Sequence, residues 1–484
     1  MSHAFLLTVA LAYFALVFWI ARRTGHGASN EGFFVGNRSS PWPVVAFGMI
    51  GTSLSGVTFV SVPGAVGHDG FSYFQIILGH FVGYLVIAFV LLPLYYRDRV
   101  TSIYHLLATR LGSAAHRTGA SFFLVSRTLG ACVRLYLVVG VLHAMLVEPT
   151  GVPFAATALA VIALIVLYTY EGGVKTIVWT DLLQTACMLT GLVAVIGILL
   201  DRLDLDVSTS LVLLREHGFS RMFALDPLRS DFFAKHFVAG IFIAIAMTGM
   251  DQEMMQKSIS VKTLAGSQKN IVLMATIMMV VVLGFLYLGG LLHLYAPTVG
   301  INETGDRLFP AVVLKQLPEA LQVVFLVALV SALFPSADGA LTALTSSFCV
   351  DILRVRERGL DEEAIARTRK RTHLSFAALF LLLVLAFQAL GSPSMITVLL
   401  TIAAYSYGAL LGLFAFAILV RRRLADRWVP IVAIAAPLAC YAIQRHQQDL
   451  FGAYEIGLEI LALNGLLTFA GLWIISTRKD SRPG

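Results

Sequence analysis

Apolar runs of about 20 residues alternate with short polar segments along almost the whole chain, the repeat expected of helices that cross a bilayer. About thirteen such spans are predicted, from 4–21 to 453–476. One of them, Leu321 to Ile352, breaks the apolar pattern in its middle with Ser331, Pro335, Ser336 and Asp338. Hydroxyls and a carboxylate at that depth are costly unless they face protein or an aqueous cavity. Pro335 has no N–H, so a helix there would leave the carbonyl of Ser331 without its usual donor. The expectation is a helix broken or loosened at Pro335, whose oxygens would suit a small hard cation.

A second unusual span, 41–64, begins with Pro41 and Pro43 and reads FGMIGTSLSGVTFVSVPG. It is too rich in glycine and hydroxyls for a lipid-facing helix, and two readings are open: close contact through small residues, or a discontinuous helix lining a substrate path. Arg127 and Arg134 lie seven residues apart on one face of the span 118–147. Arg127 could snorkel to the inner surface, but Arg134 is too deep for that. Asp181 and Gln184 share a face at the start of another span, and Asp251, Glu253 and Lys257 read as a solvated interfacial cluster. His80, His143 and His236 read as packing residues, and RDRVTSIYHLLATRLG as an inner-surface helix with Tyr104, Leu106, Leu107 and Leu111 turned inward.

Composition agrees: 58% of the 484 residues are hydrophobic, 13% are charged and the mean hydropathy is +0.83. The fold class is therefore an all-α polytopic membrane protein. A net charge of +7 does not point to nucleic acid, because the basic residues collect in alternate loops, such as Arg97 to Arg110 and Arg354 to Arg371. This positive-inside pattern puts the N-terminus outside and the C-terminus in the cytoplasm, in a plasma (inner) membrane. The cysteines all fall within spans, which argues against disulfides or a Cys metal cluster.

Counting helices gives an extra N-terminal helix and inner loop (1–40), a first set of five (41–200), an outer loop (201–230), a second set of five (231–420) and two further helices with a short tail (421–484). The two sets run in opposite topology, as a 5+5 inverted-repeat transporter core requires.

Four stretches carry a resemblance: GTSLSGVTFVSVPG at 51–64, EGGVKTIVWTDLLQ at 171–184, DQEMMQK at 251–257, and SADGALTALTSSFCVDI at 336–352 with its terminal Phe-x-x-Asp-Ile. With them, in this order, the chain resembles the sodium:solute symporter family, whose members share the leucine-transporter-like fold. The resemblance implies Na⁺-driven uptake of a small solute by alternating access. Its shared sodium site would fall on the carbonyls of Gly51, Leu54 and Ala332 and on Ser336, with Pro335 standing where the family usually has a serine. Asp181 matches an aspartate that some members use at an additional sodium site. The sixth core helix carries Ala244, Met247 and Thr248 where sugar-carrying relatives have an asparagine and a Tyr-Trp pair, which argues against a neutral hexose. Relatives that carry acidic sugars suggest Ser53, Ser55, Thr58, Gln75 and Arg134 as substrate contacts, and a carboxylate such as a sugar acid as the solute. The expected partners are thus Na⁺ as coupling ion, a small-molecule solute and lipid, with no nucleic acid and a monomeric state. The alternatives are an H⁺-coupled symporter and a membrane solute sensor acting through a separate partner. No nucleotide-binding loop or paired nucleophile and base suggests an enzyme.

Overall fold

The computed structural model describes residues 3–25, 29–54, 56–147, 151–390 and 395–477. It is built almost wholly of helices. In chain order they are α1 (His3–Gly25), α2 (Trp42–Ser53), α3 (Gly56–Asp69), α4 (Tyr73–Arg97), α5 (Ser113–Leu142), α6 (Phe154–Thr169) and α7 (Val174–Leu203). After a loop bearing the short helix Val207–Glu216 come α8 (Phe233–Gly249), α9 (Gln252–Ile259), α10 (Leu264–Thr298), α11 (Glu319–Ile352), α12 (Glu362–Leu390), α13 (Met395–Leu419), α14 (Asp426–Arg445) and α15 (Ile460–Ile474). Among the described residues eight helices are long and apolar enough to cross a membrane, or up to ten if each bent pair is one span. Large apolar side chains such as Val193, Val280, Leu382, Leu438 and Leu466 lie exposed on the outside, where lipid rather than water suits them.

Each set of five opens on a broken helix. The axes of α2 and α3 meet at 53° and those of α8 and α9 at 66°. The first break follows Leu54, which leaves helical geometry at φ −87°, ψ 79°. Of the two readings open for 41–64, the discontinuous helix is the one found. The second break was not foreseen. Here α8 ends in a wide turn at Ile245–Gly249, and Asp251 starts α9 as an N-cap, accepting from the backbone N–H groups of Glu253 and Met254. The carbonyls freed at this break need donors away from water. Tyr95 donates to the Gly249 carbonyl at 2.8 Å and Tyr104 to that of Met250 at 3.0 Å.

The expectation of a break at Pro335 is corrected. α11 runs through that proline as one helix, and the Ser331 hydroxyl donates to Tyr13 of α1 at 2.7 Å. The terminal Phe-x-x-Asp-Ile motif has a structural use: Asp351 accepts from Ser102 and Ser347 and meets His116 Nε2 at 2.9 Å. That ties the end of α11 to the inner-surface segment, whose Tyr104, Leu106, Leu107 and Leu111 are buried as expected. Small residues bring the two sets of five together. A Cβ at Gly79 of α4 would lie 2.1 Å from the Phe237 carbonyl oxygen and 3.0 Å from Gly240 Cα of α8, so nothing larger fits this crossing.

Candidate functional site

Where the two broken helices meet α5, α7 and α11, the structure gathers charges that lie far apart in sequence. Lys257 on α9 reaches Asp181 Oδ2 on α7 at 2.6 Å and Thr52 Oγ1 on α2 at 2.7 Å, and its ammonium is 3.8 Å from Glu253 Oε1. The Thr52 hydroxyl also donates to Asp181 Oδ2 at 3.2 Å. Glu253 in turn pairs with Arg127 of α5, whose other terminal nitrogen is 3.9 Å from Asp251. Asp251 accepts from Tyr407 at 2.6 Å, and Asp338 accepts from Tyr168 at 2.7 Å. All these charged groups are buried. Two expectations are therefore corrected. Asp251, Glu253 and Lys257 form a buried network rather than a solvated interfacial cluster, and Arg127 points into that network rather than to the inner surface.

The structure packs the end of α2, which carries Gly51, against α11, which carries Ala332 and Ser336. Gly51, at the end of α2, packs so closely on α7 that a Cβ there would lie 2.4 Å from Thr185 Oγ1, and 3.7 Å from Pro335 Cγ of α11. Its N–H donates to the Thr185 hydroxyl at 3.2 Å. Leu54 stands at the break, and Ala332 and Ser336 are buried on α11 one turn apart. The Ser336 hydroxyl is buried with no hydrogen-bond partner among the described residues. An orphaned buried hydroxyl on a helix that packs against the end of α2 has the donor chemistry a small hard cation needs. Asp181 lies nearby through Gly48, whose Cβ would be 3.0 Å from Asp181 Cβ. The cation that meets Asp181 in this structure is the chain's own Lys257.

Beside the first break lies a cavity of about 140 Å³, lined by Ser53, Thr58, Arg127 and Arg134 among the polar groups. Ile76, Ile77, Ile243, Ala244, Met247 and Val282 supply apolar walls. Among the described residues Arg134 makes no ion pair, and its Nε is buried without a hydrogen-bond partner. Neither Asp181 nor Asp338 serves it, since Lys257 and Tyr168 hold them. A larger vestibule of about 570 Å³, lined in part by Asp69, Asp231 and Asp306, shares Tyr73, Ile76 and Leu458 with the cavity and leads from it to the surface. The Arg229 guanidinium bonds both oxygens of Asp231, at 2.7 and 2.9 Å, and holds that carboxyl below the usual carboxylate range. Arg127 and Thr52 in the cavity wall join it to the buried network that runs to Lys257 and Asp181.

Gln75 does not join the cavity. Its amide donates to the carbonyls of Ser72 and Asp231 and accepts from the N–H of Ala224, so it fastens the 201–230 loop to α4. Ser55 lies outside the described residues. Lys257 was missed as a site residue. Its signal was present in DQEMMQK, where a helix N-cap is followed by an acid and a base at i, i+4.

Residues 33–426 match the model of the sodium:solute symporter family. The human sodium/iodide cotransporter is 26% identical over 249 residues, 51% of this chain and 38% of that protein. Mouse sodium-coupled monocarboxylate transporter 1 is 23% identical over 429 residues, 84% of this chain and 67% of that protein. This chain thus spans from about a third to two thirds of the length of such relatives. The fold matches that of a Na⁺-coupled sialic acid symporter in a substrate-bound outward-open state, with a TM-score of 0.84, 16% identity and coverage of 98% of this chain and 99% of that one. It also matches a nucleobase-cation-symport-1 family transporter in a closed conformation, with a TM-score of 0.53, 14% identity and coverage of 92% and 93%. With a family match over most of its length, two broken helices and a 5+5 core, the chain belongs to the sodium:solute symporter family.

Proposed function

We propose that the chain is a secondary symporter that couples Na⁺ entry to uptake of a small organic carboxylate. The observation that carries the solute class is Arg134, an unpaired guanidinium in the wall of the cavity beside the broken helices. Arg134 is half-buried with its Nε enclosed, and a guanidinium, which stays charged at physiological pH, is stabilised there by an opposite charge. A carboxylate does so through a bidentate pair, and Ser53 and Thr58 supply further donors in the same cavity. At about 140 Å³ the cavity is smaller than the roughly 300–1,000 Å³ of ordinary ligand pockets, and most of its wall is apolar. A short monocarboxylate fits that better than a sugar acid, which needs a wider and more polar site. Na⁺ would sit on the carbonyls of Gly51, Leu54 and Ala332 and on Ser336, and the orphaned Ser336 hydroxyl supports this.

In this reading the vestibule is the outer entrance, the N-terminus is outside and the protein acts alone in the plasma membrane. Binding of Na⁺ beside the α2–α3 break and of solute on Arg134 would favour closure of the vestibule and opening of the network side. Uptake into proteoliposomes of short monocarboxylates, sugar acids, amino acids and vitamins, under either a Na⁺ or a pH gradient, is the test. Saturable, Na⁺-driven accumulation of a carboxylate is expected. Accumulation that ignores Na⁺ and follows the pH gradient would replace the coupling ion by H⁺. Binding without accumulation would leave a sensor.

A further inference from the structure

Lys257 occupies a position where a mobile cation would be at home. Around its ammonium are Asp181 Oδ2, Thr52 Oγ1 and Glu253 Oε1, three oxygens from three different elements. Two carboxylate oxygens of this group, Asp181 Oδ1 and Glu253 Oε1, are buried without a hydrogen-bond partner. The space is made by Gly339 of α11: a Cβ there would lie 2.4 Å from Glu253 Oε1 and 3.1 Å from Lys257 Nζ. Every other carboxylate nearby has its own compensation, Glu253 in Arg127, Asp251 in Tyr407 and the start of α9, Asp338 in Tyr168. Among the described residues Asp181 has only Lys257 and Thr52.

We propose that Lys257 is a tethered counter-ion that fills a second cation site on Asp181, so that removing its ammonium opens an oxygen-lined site for a free monovalent cation. The reasoning is one of charge and shape. Without the ammonium, Asp181 would be an uncompensated buried carboxylate, a costly state that a cation relieves. The oxygens left behind, both of Asp181 with Thr52 Oγ1 and Glu253 Oε1, are the hard ligands that Na⁺ takes. Because Lys257 belongs to α9 while its partners belong to α2 and α7, the tethered charge also binds the two broken helices to one carboxylate. The native chain then carries a single mobile Na⁺, at the Gly51, Leu54, Ala332 and Ser336 site. This last point rests on the Na⁺ coupling proposed above; the filled site on Asp181 does not.

The test is equilibrium binding of radiolabelled Na⁺ to the purified full chain in detergent, counted per chain. The native protein is expected to bind about one Na⁺, Lys257→Gln about two, and Lys257→Arg and the double variant Lys257→Gln/Asp181→Asn about one each. A native count of two overturns the proposal, as does a folded Lys257→Gln whose count equals the native one. A native count of zero would overturn Na⁺ coupling, while a gain of one in Lys257→Gln would still uphold the tethered counter-ion. Should Lys257→Gln fail to fold, Lys257→Ala, whose shorter side chain leaves the same space open, tests the same gain, and failure of both variants to fold even at high Na⁺ overturns the proposal, since a free cation then does not take the ammonium's place.

Discussion

The Lys257 ammonium lies 2.6 Å from the Asp181 carboxylate, bridging the second half of one broken helix to the helix that supports the other. Both side chains are almost fully buried. Pairs of this kind are costly to lose by halves, because the survivor is left charged in a low-dielectric interior.

Asp181→Asn is therefore expected to destabilise the protein by roughly 3–5 kcal/mol, and Lys257→Met by a similar amount in Na⁺-free buffer, where no cation takes the ammonium's place. The double variant, with both charges gone, should recover much of that loss. Thermal unfolding in detergent of the two single variants and the double checks this. Additive losses would mean that the two residues act separately.

Ser336→Ala removes a hydroxyl that has no protein partner, so the fold should hold and the cation site should weaken. The Na⁺ concentration for half-maximal uptake is expected to rise about tenfold, the equivalent of about 1.4 kcal/mol for one oxygen ligand. Uptake rate against Na⁺ concentration measures it. An unchanged curve would move the ion elsewhere.

Arg134→Lys keeps the charge but loses the planar fork, and Arg134→Ala loses both. Truncating one partner of a buried charged pair costs about 2–5 kcal/mol, so solute affinity should fall at least about 30-fold in the alanine variant and somewhat less in the lysine one. Direct solute binding, with thermal stability as the control for folding, separates this from a structural role. Equal affinities in all three proteins would make Arg134 a packing residue.

Gln75→Ala removes three hydrogen bonds, of which those to Ala224 and Asp231 hold the 201–230 loop and the residue after it against α4, yet touches no wall of the cavity. A loss of about 1–3 kcal/mol in stability is expected, from the buried groups left without partners. Proteolysis of that loop should quicken while solute affinity stays within about twofold. A large affinity loss would return Gln75 to the binding site.

Much of the architecture could be read from the chain because span formation is a local matter. Twenty apolar residues must become helix in lipid wherever they occur, since no other backbone form satisfies its own polar groups there. The helical character and the grouping of the helices follow from that, while the glycines and hydroxyls near Leu54 marked 41–64 as unusual and left close packing and a discontinuous helix both open. Arg134 was legible for the same reason: a permanent charge at that depth needs a cavity or a partner.

What the tertiary structure alone decided is who meets whom, and which irregularity is a break. Pro335 was expected to loosen α11, but one missing donor can be tolerated inside a packed helix, whereas Gly249 and Met250 unwind because Tyr95 and Tyr104 stand ready for their carbonyls. Those tyrosines lie about 150 residues earlier in the chain. Gln75, polar and suitably spaced for a cavity, is spent on a loop. Asp181 was expected from the resemblance to meet a sodium ion, and its partner here is a lysine 76 positions away. Spacing along one helix shows which side chains share a face, but the cost of burying a charge depends on what the neighbouring helices bring to it, and that is settled only when they pack.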